Sequence, residues 1–181
     1  KQVLYLLPEI ALTVQIVKRL RRVFGDRVGV YHSGMTDNAR AEMWRKQNGD
    51  QPYPVVLGVR SSIFLPYRQL GLVIIDEEHE SSYKQKEPAP RYNGRDAAIM
   101  LGKMNGAKIL LGSATPSFES YQNALSGKYG FVQLATRYGA VMMPELLFVD
   151  VKEYRRKKMM KGCFTPVLYE EMKRVLESGM Q

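Results

Sequence analysis

Cysteine is almost missing from this chain. Cys163 is the only one among 181 residues, which excludes an internal disulfide and any multi-cysteine zinc site within them and fits a reducing compartment. No uninterrupted apolar run nears the ~18 residues needed to cross a bilayer, so no membrane partner is expected. The Lys1-Gln2 start carries neither an initiator Met nor a signal-peptide pattern, and the reading is a cytoplasmic segment of a longer chain. Internal repeats and low-complexity tracts are absent. A content of 45% hydrophobic and 25% charged residues is that of an ordinary folded domain, not of a disordered chain, a collagen or a coiled coil. Acidic residues are in deficit, 18 Asp+Glu against 27 Lys+Arg, for a net charge of +9. That balance favours a polyanionic partner, yet it also occurs on proteins that merely stay soluble.

What is present is an alternation of apolar runs and helical patterns. Val3 to Leu7 reads as a strand covered on both faces. Ile10, Val14, Val17, Leu20 and Phe24 recur at helical spacing, with Lys18, Arg19, Arg21 and Arg22 over much of the other side and Gly25 closing the helix. Val28 to Tyr31 reads as a second strand, Thr36 as the N-cap of a helix to about Asn48, and Val55 to Val59 as a third strand. Leu70 to Ile75 is the most apolar stretch and ends abruptly in Asp76-Glu77-Glu78-His79. Ala97, Ala98, Leu101 and Met104 mark another helix, and Lys108 to Leu111 a further buried strand. Thr115-Pro116 looks like the N-cap and first residue of a helix ending at Gly127. Leu146 to Val151 reads as one more strand, Arg155 to Lys161, with five basic residues in seven, as a linker or exposed loop, and Thr165-Pro166 as the start of a final helix. Nearly all-apolar strands alternating with helices indicate a doubly wound α/β domain, a parallel sheet with helices on both faces.

In such a sheet ligands bind at the carboxyl ends of the strands. The tetrad Asp76 to His79 leaves a hydrophobic strand there, as a Walker B element does when it places one carboxylate on Mg2+ and a second near the attacking water. The same residues would also suit an acidic helix N-cap. Gly112-Ser113-Ala114-Thr115 ends the next strand and would face the same crevice, or serve as an ordinary strand-to-helix cap. Tyr83 to Tyr92 interleaves aromatics and cations, which suits stacking of unpaired bases beside a phosphate backbone; a solvated loop whose tyrosines cover the sheet is the other reading. His32 reads as a loop residue, Trp44 as helix packing and Cys163 as a bystander.

Asp76-Glu77-Glu78-His79 followed by Gly112-Ser113-Ala114-Thr115 resembles motifs II and III of superfamily 2 helicases. Leu7-Pro8-Glu9-Ile10-Ala11-Leu12-Thr13, Arg60-Ser61-Ser62-Ile63-Phe64-Leu65-Pro66, Ser82-Tyr83-Lys84-Gln85 and Pro90-Arg91-Tyr92 are similar to the PriA family of bacterial replication-restart helicases. The resemblance spans nearly the whole chain. It implies that residues 1–140 form a RecA-like first motor lobe, a P-loop NTPase lobe lacking its Walker A segment, and that 141–181 hold the interlobe linker and the first elements of a second lobe. Asp76 would hold Mg2+ on ATP, Glu77 would orient or deprotonate the hydrolytic water, and His79 with Ser113 and Thr115 would couple nucleotide state to DNA contact. Pro8, Glu9 and Thr13 fall in motif Ia, and Arg60 and Ser61 in the following motif, both lining the single-strand path through backbone phosphates. Tyr83, Lys84, Arg91 and Tyr92 would belong to an aromatic-rich DNA-sensing loop.

The family commonly has His-Ala where this chain has Asn93-Gly94, and Gly-Thr-Arg-Ser where it has Gly58-Val59-Arg60-Ser61. Implied partners are single-stranded and forked DNA together with other primosome and single-strand-binding proteins. ATP and Mg2+ would be used here and Zn2+ elsewhere in the full-length protein, with no zinc site in these residues. A Gly-x-x-x-x-Gly-Lys-Ser/Thr loop is absent: Gly127-Lys128 is followed by Tyr129 and Gly102-Lys103 by Met104. The family places that loop upstream of the first strand, so the chain alone is expected to be inactive. Two alternatives remain open: a non-catalytic nucleic-acid-binding or scaffold module whose acidic tetrad is only a cap, and a different superfamily 2 DNA translocase.

Overall fold

The computed structural model describes residues 1–11, 13–136 and 145–179. These fall into two compact units, Lys1–Phe131 and Val132–Gln181; the expected boundary at 140 and 141 lies outside the described residues. No helix among them is long and apolar enough to cross a membrane.

The first unit is built on β1 (Gln2–Leu6), β2 (Val28–Tyr31), β3 (Val55–Gly58), β4 (Leu70–Ile75) and β5 (Lys108–Leu111). They form one sheet in the order β2-β3-β1-β4-β5, every pair parallel. Leu4 lies level with Val56 on one neighbour and Val73 on the other, and Leu6 with Gly58 and Ile75. Successive side chains of a strand point to opposite faces, which sorts this apolar set into two cores. On one face Leu4, Leu6, Val56, Val73 and Ile75 meet Met43 of α2 (Asp37–Asn48) and Ala98 of α3 (Gly94–Met104). On the other, Leu7, Val28 and Leu57 receive Ile16, Val17 and Leu20 of α1 (Val14–Phe24). Helices therefore cover both faces, and the fold is the doubly wound α/β sheet of a RecA-like lobe. Each fully buried aliphatic side chain contributes about 1.5–3 kcal/mol toward holding it.

In this unit four sequence expectations are corrected. The pattern from Ile10 does not start a helix there; Glu9–Ala11 is a single 3-10 turn and α1 begins at Val14 behind the N-cap Thr13. β5 is not buried but, among the described residues, an edge strand with a neighbour on one side only, leaving Leu110 56% exposed. The helix expected from Thr115-Pro116 begins instead at Phe118, where the Ser117 hydroxyl accepts from Ser120 N to cap α4 (Phe118–Leu125). Trp44 is exposed; α2 turns Met43 and Gln47 inward in its place.

In the second unit, Leu146 to Asp150 carry no strand. The Asp150 carboxylate accepts from Lys152 N and Glu153 N and so opens a short helix, α5 (Val151–Arg156). Arg155 and Arg156 end that helix, so the basic run is part helix and part turn. α6 (Pro166–Glu177) starts where expected, with Thr165 as N-cap and Pro166 in its first turn.

Candidate functional site

Because every strand of the sheet runs the same way, the loops after β1, β3, β4 and β5 emerge on one rim, in register. Leu7 N donates to Gly58 O at 2.9 Å, Asp76 N to Leu6 O at 3.0 Å and Gly112 N to Ile75 O at 2.8 Å, carrying the ladder past the strand ends. Asp76 to His79 form a turn, not a helix. The capping function falls to Glu80, whose side chain accepts from Ser82 N ahead of the 3-10 turn Ser81–Tyr83. Glu77 adopts φ 46°, the left-handed region that non-glycine residues seldom occupy and that costs on the order of 1–3 kcal/mol.

Both oxygens of the Asp76 carboxylate are fixed: Tyr5 OH donates to Oδ2 at 3.0 Å and Glu77 N to Oδ1 at 3.0 Å. Tyr83 OH donates to the Asp76 carbonyl at 2.7 Å. Burial pushes the Tyr5 phenol up to about 12, with the bond to Asp76 and its negative charge adding to the effect, so Tyr5 remains a donor across the neutral range. The Glu77 carboxylate is about half exposed and stands 3.6 Å from His79 Nδ1. The same His79 nitrogen shares a 2.7 Å hydrogen bond with Ser113 Oγ, and His79 Nε2 lies 3.4 Å from Thr115 Oγ1. Ser113 Oγ also accepts from Thr115 N at 3.0 Å. Asp76, Glu77, His79, Ser113 and Thr115, singled out from two separate segments, thus form one cluster.

Glu78 was overlooked, although it is the most tightly held residue of the tetrad. It is 3% exposed and accepts from Ser117 N at 2.5 Å, Ser120 Oγ at 2.7 Å, Ser117 Oγ at 3.0 Å and Arg95 Nη1 at 3.0 Å. Its own N–H donates to Gly112 O at 3.0 Å. Burial pushes its carboxyl up, but the bonds from Ser117, Ser120 and Arg95 together outweigh that and hold it below the usual glutamate value. Arg95 in turn reaches Asp96 through Nε at 2.9 Å. A signal existed: serines at 117 and 120, three residues apart, share one face of a helix start and offer hydroxyl donors to a carboxylate.

The nucleic-acid candidates divide. Lys84 pairs antiparallel with Asn93, Gln85 N donates to Tyr92 O at 2.9 Å, and Lys84 Nζ donates to Arg91 O at 3.0 Å. This folds the segment into a tight loop with Lys84 and Arg91 exposed. Arg60 Nη1 reaches Ser82 O at 3.0 Å, and its guanidinium lies 5.9 Å from the Tyr92 ring. Arg60, Lys84, Arg91 and Tyr92 are brought together. A Cβ at Gly94 would stand 2.7 Å from Arg60 Cγ, so glycine in place of the family's alanine leaves room for this Arg60 pose. Ser61 is half-buried beside Arg60.

Tyr83 is a correction: at 2% exposed it is part of the core and offers no face to a base. Pro8 is another, since it is buried and shapes the turn, its carbonyl accepting from Ala11 N at 2.9 Å. Glu9 and Thr13 are exposed, and the Thr13 side chain makes no cap hydrogen bond. A shallow cavity lined by Lys1, Gln2, Asp50, Pro54 and Arg68 lies at the amino ends of the strands, away from this rim.

Comparison with known proteins points the same way. Residues 1–124 match the family described as DEAD/DEAH box helicase. The chain is 41% identical over 181 residues to the "Replication restart protein PriA" of Chlamydia pneumoniae, covering all of this chain and 24% of the relative. It is 40% identical over 181 residues to the protein of that name from Bacillus subtilis, covering all of this chain and 22% of the relative. The Rickettsia felis protein of that name is 41% identical over 182 residues, covering all of this chain and 27% of the relative. The chain therefore spans about a quarter of the length of the curated relatives it matches.

Proposed function

The chain belongs to the DEAD/DEAH box helicase family, and from that premise we propose that it is the part of an ATP-dependent replication-restart DNA helicase that supplies the hydrolytic carboxylates and single-strand contacts. The observation that carries this reading is the cluster at the carboxyl rim, where His79 bridges Glu77 to Ser113 and Thr115.

Family membership implies use of a nucleotide with Mg2+, and the residues fit the ion. Asp76 offers hard carboxylate oxygens. Gly112, whose Cβ would stand 3.4 Å from Asp76 Oδ1, puts no side chain over them. Among the described residues no group of three or more His, Cys, Asp or Glu side chains forms a metal cage, and an ion held through one or two carboxylates plus substrate phosphates needs none. When bound, Mg2+ neutralises charge on the phosphates during phosphoryl transfer.

The chain's own groups do the rest. Tyr5 and Glu77 N keep the Asp76 carboxylate in one orientation. Glu77, half exposed beside His79, can orient or deprotonate a water. His79 senses both its carboxylate neighbour and the hydroxyls of the next strand's turn, so a shift on either side moves the other. Arg60, Lys84 and Arg91 give phosphate contacts and Tyr92 a stacking edge, with Ser61, Glu9 and Thr13 along the same rim. By the family resemblance, forked DNA, primosome and single-strand-binding proteins, Zn2+ in another region and a cytoplasmic setting belong to the full-length protein. This sequence contains no phosphate-cradling loop, so the chain by itself should not turn over ATP at a useful rate.

Glu77→Gln in the full-length protein tests the proposal. DNA-stimulated ATP turnover should fall on the order of 100-fold or more while nucleotide still binds. Unchanged turnover would favour the scaffold reading. Single-strand affinity should drop steeply with salt, and a flat response counts against the phosphate contacts.

A further inference from the structure

Phe64 closes the 3-10 turn Arg60–Phe64 after β3. Its neighbour Ile63 is 6% exposed, whereas Phe64 is 65% exposed. The turn that presents it is closely packed. A Cβ at Gly58 would come within 2.3 Å of Ser62 Oγ, and the buried Ser62 hydroxyl donates to Val59 O at 2.7 Å, so the turn is folded tightly under the strand end. The Phe64 ring meets Tyr92 edge to face, with centroids 5.2 Å apart and an interplanar angle of 74°. Arg60 lies on the same turn, over the Tyr92 ring, and among the described residues no carboxylate pairs with it.

A lone exposed aromatic ring is common on protein surfaces, but this one packs against Tyr92 beside a fork-shaped cation on the rim that carries the other single-strand candidates. We propose that Phe64 is a stacking platform for one unpaired nucleobase of a single strand, with Arg60 on the phosphate beside that base. The proposal deepens the single-strand reading above and rests on it. Phe64 carries no polar atom, so it cannot read base identity by hydrogen bonding, and the contact is sequence-tolerant. Preorganisation adds to its strength: Tyr92 packs against the ring, and Gly58 and Ser62 pack the turn that carries it, so less ordering remains to be done on binding.

The test is fluorescence anisotropy of the full-length protein on an oligothymidylate, over a range of salt. Phe64→Ala should bind roughly 5- to 150-fold more weakly with an unchanged slope of log affinity against log salt, whereas Arg60→Ala should reduce that slope by about one. Phe64→Tyr should restore binding and Phe64→Leu should not. With oligonucleotides carrying one abasic site, the position that costs the wild type most should cost Phe64→Ala nothing further. Phe64→Ala within about twofold of wild type on a salt-dependent background overturns the platform and leaves the single-strand reading standing. A Phe64→Ala loss that is undiminished by every abasic substitution overturns it too. Wild-type protein that binds no single strand overturns both.

Discussion

Glu78→Ala is expected to destabilise the first unit by about 3 kcal/mol. The buried carboxylate accepts from four donors, Ser117 N, Ser117 Oγ, Ser120 Oγ and Arg95 Nη1, and removing one partner of a buried ion pair costs roughly 3–5 kcal/mol. The lower end applies for two reasons. Arg95 keeps Asp96 through Nε, so its charge is not left alone, and hydroxyls can rotate toward other acceptors. Glu78→Gln keeps the volume and an acceptor for Ser117 N, and should cost only about 1–2 kcal/mol. The two variants also separate in their pH response. The native carboxyl sits below its ordinary value of 4.5, burial being outweighed by the bonds from Ser117, Ser120 and Arg95. Its contribution is therefore complete above the unfolded-state value and is lost as pH falls through the lowered native one. Urea unfolding followed through Trp44, the chain's one tryptophan, measures this from about pH 6 to about pH 3. The wild-type advantage over Glu78→Gln should shrink as acid is added. A loss below about 1 kcal/mol for Glu78→Ala, or a wild-type advantage independent of pH, refutes the reasoning.

Three further outcomes follow from the same contacts. Gly58→Ala should cost about 1–3 kcal/mol by overpacking, since its Cβ would collide with Ser62 Oγ at 2.3 Å; an unchanged urea midpoint would show that the turn carrying Arg60 and Phe64 is not constrained there. Tyr83→Ala should lose about 3–5 kcal/mol as a core truncation, whereas Tyr92→Ala, half-buried and paired with Phe64, should lose only about 0.5–1.5 kcal/mol yet weaken single-strand binding, and equal unfolding midpoints would contradict the burial of Tyr83. Among the described residues, Tyr5→Phe removes the only side-chain donor to Asp76. In the full-length protein it should lower ATP turnover and raise the Mg2+ concentration required while costing about 1 kcal/mol of stability, and an unaltered Mg2+ titration would show that the phenol does not position the carboxylate.

How much of this was legible in the residues depends on how local the deciding interaction is. β2, β4, β5, α2 and α6 fall within a residue of the sequence reading, because their limits are set by short apolar runs or by caps such as Thr36 and Thr165 that bond to an amide three residues on. The start of α4 was missed because Thr115 and Ser117 are both competent caps, and the choice is made from outside the helix by Glu78, which holds Ser117 N. Leu146 to Val151 has the composition of a strand but no described neighbour to pair with, and the Asp150 side chain turns the following residues into a helix instead. β5 was correctly placed yet wrongly buried, since composition reports that a segment pairs and not how many neighbours it has.

The site divides along the same line. Asp76, Glu77, His79, Ser113 and Thr115 were readable because strand ends of a parallel sheet share a rim. Tyr83 and Tyr92 were not separable, since the Lys84–Asn93 pairing decides which ring turns inward. The same division has a functional consequence within the tetrad. Adjacent glutamates end on opposite sides of the turn: Glu77 stays exposed, where a water can reach it, while Glu78 is buried and spends its acceptors on α3 and α4. The strained backbone at Glu77 persists only because something over-determines it, and the Glu78 bonds to Ser117, Ser120 and Arg95 restrain the residue next to it. In the full-length protein, loss of the Glu77 carboxylate should therefore cut turnover on the order of 100-fold or more at normal stability, whereas loss of Glu78 should lower stability first and turnover through it.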